Sequence, residues 1–243
     1  MHNAAKTGFA VWLLLIGFYI GPAAGQTLCD APFMHDQGRV KLDGTGALRL
    51  GADLSFSEVR KSGPGQCQAR VRGNATFGLG GLPGGKSDLD YWITLRDGQT
   101  TFERLNAQGG REPVDGKFDL RMLGLFSYGQ PINRVGQTFP ARKFQINVDH
   151  KGVDAKPVVV HTGAKTVGHK ADIQTAAGTQ SCWPISYSRV VEATQASFSG
   201  LVLPIPEIRS SVTDWFCPEL NMVMKQESRQ QGVPSVVEVS ELK

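Results

Sequence analysis

Apolar and polar residues alternate with a period of two along much of the chain. Val40 and Leu42 flank Lys41, Leu48 and Leu50 flank Arg49, and Leu54 and Phe56 flank Ser55. Cys67, Ala69 and Val71 alternate with Gln68, Arg70 and Arg72, while Tyr91, Ile93 and Leu95 alternate with Trp92, Thr94 and Arg96. The same rhythm returns at Phe118, Leu120 and Met122, and at Phe144, Ile146 and Val148. Successive side chains of a strand point to opposite faces, so this pattern predicts half-buried strands of antiparallel sheets with one wet face. Asp43-Gly44, Asp97-Gly98, Asp115-Gly116 and Lys151-Gly152 supply turn signals between them. No segment carries a long, capped 3.6-residue pattern; short helical turns are expected at most at Leu123–Tyr128 or Glu207–Thr213. Irregular connections are expected at Gly78–Ser87 and Gly124–Pro140. In Leu201–Pro206, Pro204 and Pro206 lack amide donors, which suits an edge or polyproline-like segment. The predicted fold class is mainly β: a curved antiparallel sheet or partly closed barrel with few short helices.

Composition sharpens this picture. The 29 glycines and 13 prolines among 243 residues favour many short elements and turns. A chain 40% hydrophobic and 20% charged is ordinary for a globular protein, which argues against wholesale disorder. The one long apolar run, Gly8 to Ile20, follows Lys6 and precedes Gly21-Pro22-Ala23-Ala24-Gly25-Gln26. It is too short for the ~20 residues of a spanning helix. It has instead the charged, apolar and small-residue order of a secretory signal. Residues 1–25 are read as a signal peptide cleaved before Gln26, and residues 26–243 as a single exported β-rich domain. Cys29 invites a lipoprotein reading, but the bulky Leu28 before it is wrong for a lipidation site. The net charge of +4 is mild and spread along the chain, which favours solubility over nucleic-acid binding.

The four cysteines, Cys29, Cys67, Cys182 and Cys217, form no CxxC spacing, so redox and zinc-knuckle roles have little support. An even count in an exported chain reads as disulfides. The expected pairs are Cys29–Cys67 and Cys182–Cys217, each closing a local loop.

Little assembled chemistry is legible. Residues Gly80 to Ser87 satisfy GxxxxGK[ST], but Asp88-Leu89-Asp90-Tyr91-Trp92-Ile93 after them reads as a strand, where a phosphate loop requires a helix. The segment is expected to be a glycine-rich connection. His150 lies beside Asp149 and near Asp154, and His161 and His169 could face each other across a hairpin near Gly163–Lys165. With His35 they complete the histidines of the mature part, and no HExxH or HxH spacing marks a metal site. No GxSxG occurs, and Ser181 has no local partner that marks a triad. Asn74-Ala75-Thr76 matches a glycosylation sequon, which has meaning only in a eukaryotic secretory pathway. Trp183, Trp215, Phe216, Met222 and Met224 supply large, adaptable apolar surface near Cys182 and Cys217. Such side chains usually build core, and they are also the candidate lining of an apolar ligand cavity.

Two stretches of the C-terminal third, Ile173 to Ile185 and Asp214 to Glu227, together resemble the TapB-like family of exported bacterial β-proteins. The first resembles that family's T-x-A-G-T-F strand start, the second its W-[YF]-x-P-x-x-x-x-V-x-K hairpin. The resemblance implies an exported fold of curved antiparallel strands, with no catalytic residues to carry over. Gly178 suits a strand start that needs an unusual backbone angle. Pro218-Glu219-Leu220-Asn221 suits a turn reversing the strand of Trp215 into that of Met222. The functional expectation is an exported, periplasmic, non-catalytic domain with an envelope structural or partner-binding role. The alternatives are a carrier or sensor of an apolar, lipid-like ligand, and a hydrolase with an unrecognised site. No catalytic, cofactor-binding or metal-binding residue is assigned. An envelope protein or an apolar ligand is the expected partner, and the signal peptide the expected membrane contact.

Overall fold

The structure, a computed structural model, describes residues 27–46, 48–79, 85–113, 124–146, 153–155, 157–198 and 201–243. Residues 1–25, the predicted strand at Phe118–Met122, His150, and the turns at Asp115-Gly116 and Lys151-Gly152 lie outside them.

The N-terminal half is a meander of β1 (Arg39–Gly46), β2 (Leu48–Gly63), β3 (Gln66–Leu79), β4 (Gly85–Arg96), β5 (Gln99–Leu105) and β6 (Arg111–Pro113). Its partner half is built on β13 (Gly178–Val191), β16 (Ile208–Cys217), β17 (Met222–Gln230) and β18 (Val233–Leu242). The halves join edge to edge where β1 pairs β18 antiparallel, with Val40 opposite Leu242 and Leu42 opposite Val239. Among the described residues, this antiparallel sheet runs from β6 through β1 and β18 to β13, then to β10 (Val158–Thr162) and β8 (Arg142–Ile146). It stays open, so the curved-sheet form of the expectation holds and the barrel form does not. Register shifts in β1, β2 and at Trp215/Phe216 act as bulges, which bend strands and increase their twist.

The alternation read from the sequence sets the faces. Val40, Leu42, Leu54, Phe56, Cys67, Ala69, Val71, Ile93 and Leu95 are buried. They enclose a core closed from below by the segment after Thr27, whose single 3-10 turn, Leu28–Asp30, is capped by the Thr27 side chain. Phe33 stacks on Phe56 with ring centroids 4.6 Å apart, and Phe126 meets both edge-on at 6.4 Å. A second cluster gathers Tyr128, Ile132, Val167, Ile185, Phe216 and Val223. On the opposite face of β4, Trp92 is also buried, under the Arg111 guanidinium 3.9 Å from its ring centroid.

Several local expectations fare differently. Asp97-Gly98 is a two-residue hairpin turn with Arg96 opposite Gln99, and both residues have positive φ, the twist that hairpins favour. Asp43-Gly44 is no turn: both lie inside β1, and a Cβ on Gly44 would sit 2.1 Å from the Leu50 carbonyl oxygen. That glycine serves close backbone approach, a use that sequence alone does not separate from turning. Glu207–Thr213 is not helical; Ile208–Thr213 belong to β16, where pairing on both edges overrides local preference. Gly124–Ser127 forms a turn closed by the Ser127 amide donating to the Gly124 carbonyl. The proline-bearing β15 (Leu201–Ile205) is the edge of a small sheet with β14 (Thr194–Phe198) and β9 (Val153–Ala155).

Candidate functional site

Three short elements run along one side of β13: β7 (Thr138–Phe139), β11 (Lys165–Val167) and β12 (Ala171–Thr175). The expected hairpin at Gly163–Lys165 does not form. Instead β10 and β11 both pair with β13 as successive segments, Thr162 opposite Arg189 and Thr166 opposite Ser186. Gly163 carries the ladder between them by donating its amide to the Ser188 carbonyl, and a Cβ there would lie 2.5 Å from the Ser188 hydroxyl. His161 and His169 therefore do not share a turn. His161 bonds through Nε2 to Glu192, which also pairs with Lys143 at 3.7 Å; His169 is exposed, and His35 bonds to the Asp36 carbonyl oxygen. Among the described residues, no three His, Cys, Asp or Glu side chains gather into a metal-binding group.

The same ladder places a set of polar side chains on the buried face. Alternation along β13 turns Ile185, Tyr187 and Arg189 inward, and along β16 it turns Val212, Asp214 and Phe216 inward. Ile185 stands opposite Asp214, which in turn stands opposite Gln226 of β17. Lys165 enters from β11 and Tyr128 from the connection after Ser127. Asp214 is 0% exposed, Arg189 and Gln226 3%, and Lys165 8%.

Their hydrogen bonds interlock. Asp214 Oδ2 accepts from the Tyr128 hydroxyl at 2.7 Å and lies 3.5 Å from Lys165 Nζ. Its Oδ1 accepts from Gln226 Nε2 at 2.7 Å and from the Tyr187 hydroxyl at 3.3 Å. Lys165 also donates to the Tyr128 hydroxyl at 3.2 Å, and Arg189 Nη2 donates to the Tyr187 hydroxyl and to Gln226 Oε1 at 3.2 and 3.1 Å. Lys165 Nζ lies between two rings, 4.2 Å from the Tyr187 centroid and 4.6 Å from that of Tyr128. Burial holds the Lys165 ammonium below the ordinary lysine pKa; Asp214 opposes this, while Arg189 and Arg142 add to it. Burial, reinforced by Asp214, raises both tyrosine pKa values, so both remain hydroxyl donors at neutral pH.

Two consequences follow. A carboxylate offers roughly four lone-pair positions, and four donors from four elements occupy those of Asp214. It is therefore no free base. Secondly, Lys165 pairs with Asp214 directly at 3.5 Å, whereas Arg189 reaches it through Tyr187 and Gln226. Above it opens a cavity of about 80 Å³ whose lining includes Arg142, Lys143, Lys165 and Arg189.

None of the apolar candidates lines this cavity. Met222 and Met224 belong to the main core with Trp215 packed against it, whereas Phe216 lies in the second cluster with Trp183 against it. Lys170 covers the Trp183 ring at 4.9 Å. The five thus divide between two packed regions. The cysteines pair as expected, Cys29–Cys67 and Cys182–Cys217, with Cα atoms 5.7 and 4.1 Å apart. Bonding to Cys67 engages the Cys29 sulfur that lipidation would need. Gly85–Ser87 of the phosphate-loop pattern lie in strand β4, while Gly80–Gly84 fall outside the described residues. Gly178 has φ of +86°, and Asn221, at φ +53°, ends the turn from β16 to β17.

The sequence reading selected none of Tyr128, Lys165, Tyr187, Arg189, Asp214 or Gln226. A signal was present: Asp214 sits in phase with Val212 and Phe216, and Arg189 in phase with Ile185 and Tyr187. A charge in the inward phase of a strand requires a buried partner.

Comparison with known proteins places the architecture and no more. No family model matches the chain, and no curated protein matches it. Among solved structures, a Bacteroides fragilis protein described as exported and YmcC-like in fold aligns over 88% of this chain and 99% of its own, with TM-score 0.50 and 12% identity. A Parabacteroides distasonis protein described as a lipoprotein aligns over 88% and 100%, with TM-score 0.46 and 14% identity. YmcC of Escherichia coli, described as a hypothetical lipoprotein, aligns over 86% and 87%, with TM-score 0.37 and 10% identity. The chain has a YmcC-like antiparallel β fold.

Proposed function

We propose that this chain is an exported, disulfide-stabilised domain of the cell envelope that acts by binding rather than catalysis. The observation that carries the reading is the state of Asp214. It is the buried carboxylate beside the cavity, and donors from Tyr128, Lys165, Tyr187 and Gln226 saturate it. A general base needs a free acceptor position aimed at its substrate. Here the carboxylate spends its acceptors on holding the cavity floor rigid, which suits a preorganised binding site.

Export is supported by the leader-like N-terminus and by the two disulfides, which persist in oxidising compartments. Fractionation of the source cells, with determination of the mature N-terminus, tests this part. The expected product lies in the envelope compartment and begins at Gln26. Full-length protein in the cytosol would overturn it.

A further inference from the structure

We infer that residues 131–139 form a strap that lifts off the sheet, and that the apolar seat beneath it receives one acyl chain of a lipid. The inference rests on the reading of the domain as a binding module and names the chemistry of its ligand.

Residues 124–137 carry no helix or strand, and connections of that length are commonly lids or binding loops. The two ends of this one meet, since Ser127 and Phe139 line the same cavity. The strap is also braced from within. The Gln137 side chain donates to the Pro131 carbonyl at 2.9 Å and accepts from the Asn133 amide at 3.2 Å. The Gln137 amide donates to the Arg134 carbonyl at 3.4 Å. A loop that carries its own hydrogen bonds keeps them when it moves as one piece.

What the strap covers is apolar. Ile132, 6% exposed, packs with Phe139 onto a seat made by Val167 of β11, Ile185 of β13, Phe216 of β16 and Val223 of β17. Asn133, Arg134, Val135 and Gly136 face solvent. Two inward side chains of the strap therefore close a surface to which three long strands contribute. Phe139 belongs both to this cluster and to the cavity lining, so withdrawing it joins the cavity to the seat. The joined space has an apolar trough and a polar mouth, with Thr162 and Arg142 in the lining. A lipid with one acyl chain has the same division.

The polar network is the fixed frame against which the strap moves. Tyr128 is held on Asp214 at 2.7 Å. A Cβ on the next residue, Gly129, would lie 2.3 Å from the Gly98 carbonyl oxygen, so the chain is wedged against the β4–β5 turn just before the strap starts. The far end is held by short backbone ties. The Gly136 amide donates to the Val167 carbonyl at 2.8 Å, and the Val167 amide donates to the Gln137 carbonyl at 3.0 Å. Beyond them β7 pairs with β11 through Thr138 and Phe139. Such ties at a surface open at lower free energy than the ladders of a core. An acyl chain gives the seat the apolar contact that Ile132 and Phe139 give it, so it takes their place without baring the core to water.

The test uses phenylnaphthylamine, an uncharged apolar fluorophore, with monolaurin as the competing single-chain lipid. Titrations are run on the mature, oxidised protein and on Ile132→Ser, which weakens the strap's hold and leaves the side chains of the sheet in place. Amide exchange of the native protein is followed by NMR with and without monolaurin. The expected result is saturable fluorescence that monolaurin displaces, with affinity about fivefold or more higher in Ile132→Ser because its open form is more populated. Monolaurin should also speed exchange at the Gly136 and Val167 amides while the β13–β16 ladder keeps its protection. Absence of saturable binding, unchanged exchange at those two amides, or affinity not raised in the variant overturns the inference. If Ile132→Ser does not fold, binding and exchange in the native protein decide alone. Such a failure would leave the reading of Asp214 and of export standing, because fractionation tests that reading independently.

Discussion

Tyr128 and Asp214 lie 86 positions apart in the chain, yet the phenolic hydroxyl donates to the buried carboxylate at 2.7 Å. This bond fastens the connection between the two halves of the sheet to the inward face of β16. It also fixes the acceptor on which Lys165 depends.

Removing one member of a buried charged group strands the others. Asp214→Ala leaves Lys165 buried without the carboxylate it pairs with and should cost about 3–5 kcal/mol. Tyr128→Phe deletes one donor and should cost about 1–3 kcal/mol. In urea unfolding, the double variant should be less destabilised than the sum of the singles, because both act on one network. Strict additivity would show that the hydroxyl and the carboxylate do not cooperate.

The Cys182–Cys217 bridge joins directly neighbouring strands, β13 and β16, within the main core. Cys217→Ala should lower stability by ~2–5 kcal/mol. The melting temperature under oxidising conditions reports this. An unchanged value would contradict a native bond.

Glycine positions give a paired prediction. A Cβ on Gly44 meets the Leu50 carbonyl oxygen at 2.1 Å, whereas one on Gly63 meets nothing within 4 Å. Gly44→Ala should cost more than about 1 kcal/mol through forced backbone movement, and Gly63→Ala should be nearly neutral. Equal melting temperatures for the two variants would contradict the β1–β2 register.

On the outer face, Arg70 forks onto Asp90 at 2.8 and 3.0 Å and holds that carboxyl below its usual value of 3.8. A depressed native pKa contributes stability that is complete above the unfolded value and is lost as pH falls through the native one. Because the Asp90 side chain is half exposed to solvent, the contribution is about 0.2–1 kcal/mol. The stability gap between the native protein and Asp90→Asn should therefore hold at neutral pH and close below about pH 4. A gap independent of pH would remove Asp90 from the account of acid sensitivity.

These cases mark what the sequence exposes. Phe56, Val71 and Ile93 follow the alternation, and turns such as Asp97-Gly98 announce themselves, because strand faces and tight turns are set locally. The joining of β1 to β18 is not local: Val40 meets Leu242 across nearly the whole chain, and no nearby residue encodes it. The site was hidden for the same reason. Lys165, Arg189 and Asp214 become a group only when β11, β13 and β16 lie side by side; the alternation marks Arg189 and Asp214 as inward but does not name their partners. The five large apolar residues of the C-terminal third mislead in the opposite direction, since their size marks them equally for core and for ligand contact.

Export into an oxidising compartment is tested most directly by trapping thiols in intact source cells with an alkylating reagent before lysis, then weighing the purified protein. The account predicts a mass with no alkyl group on Cys29, Cys67, Cys182 or Cys217. A product alkylated at all four would place the chain in a reducing compartment and contradict the account.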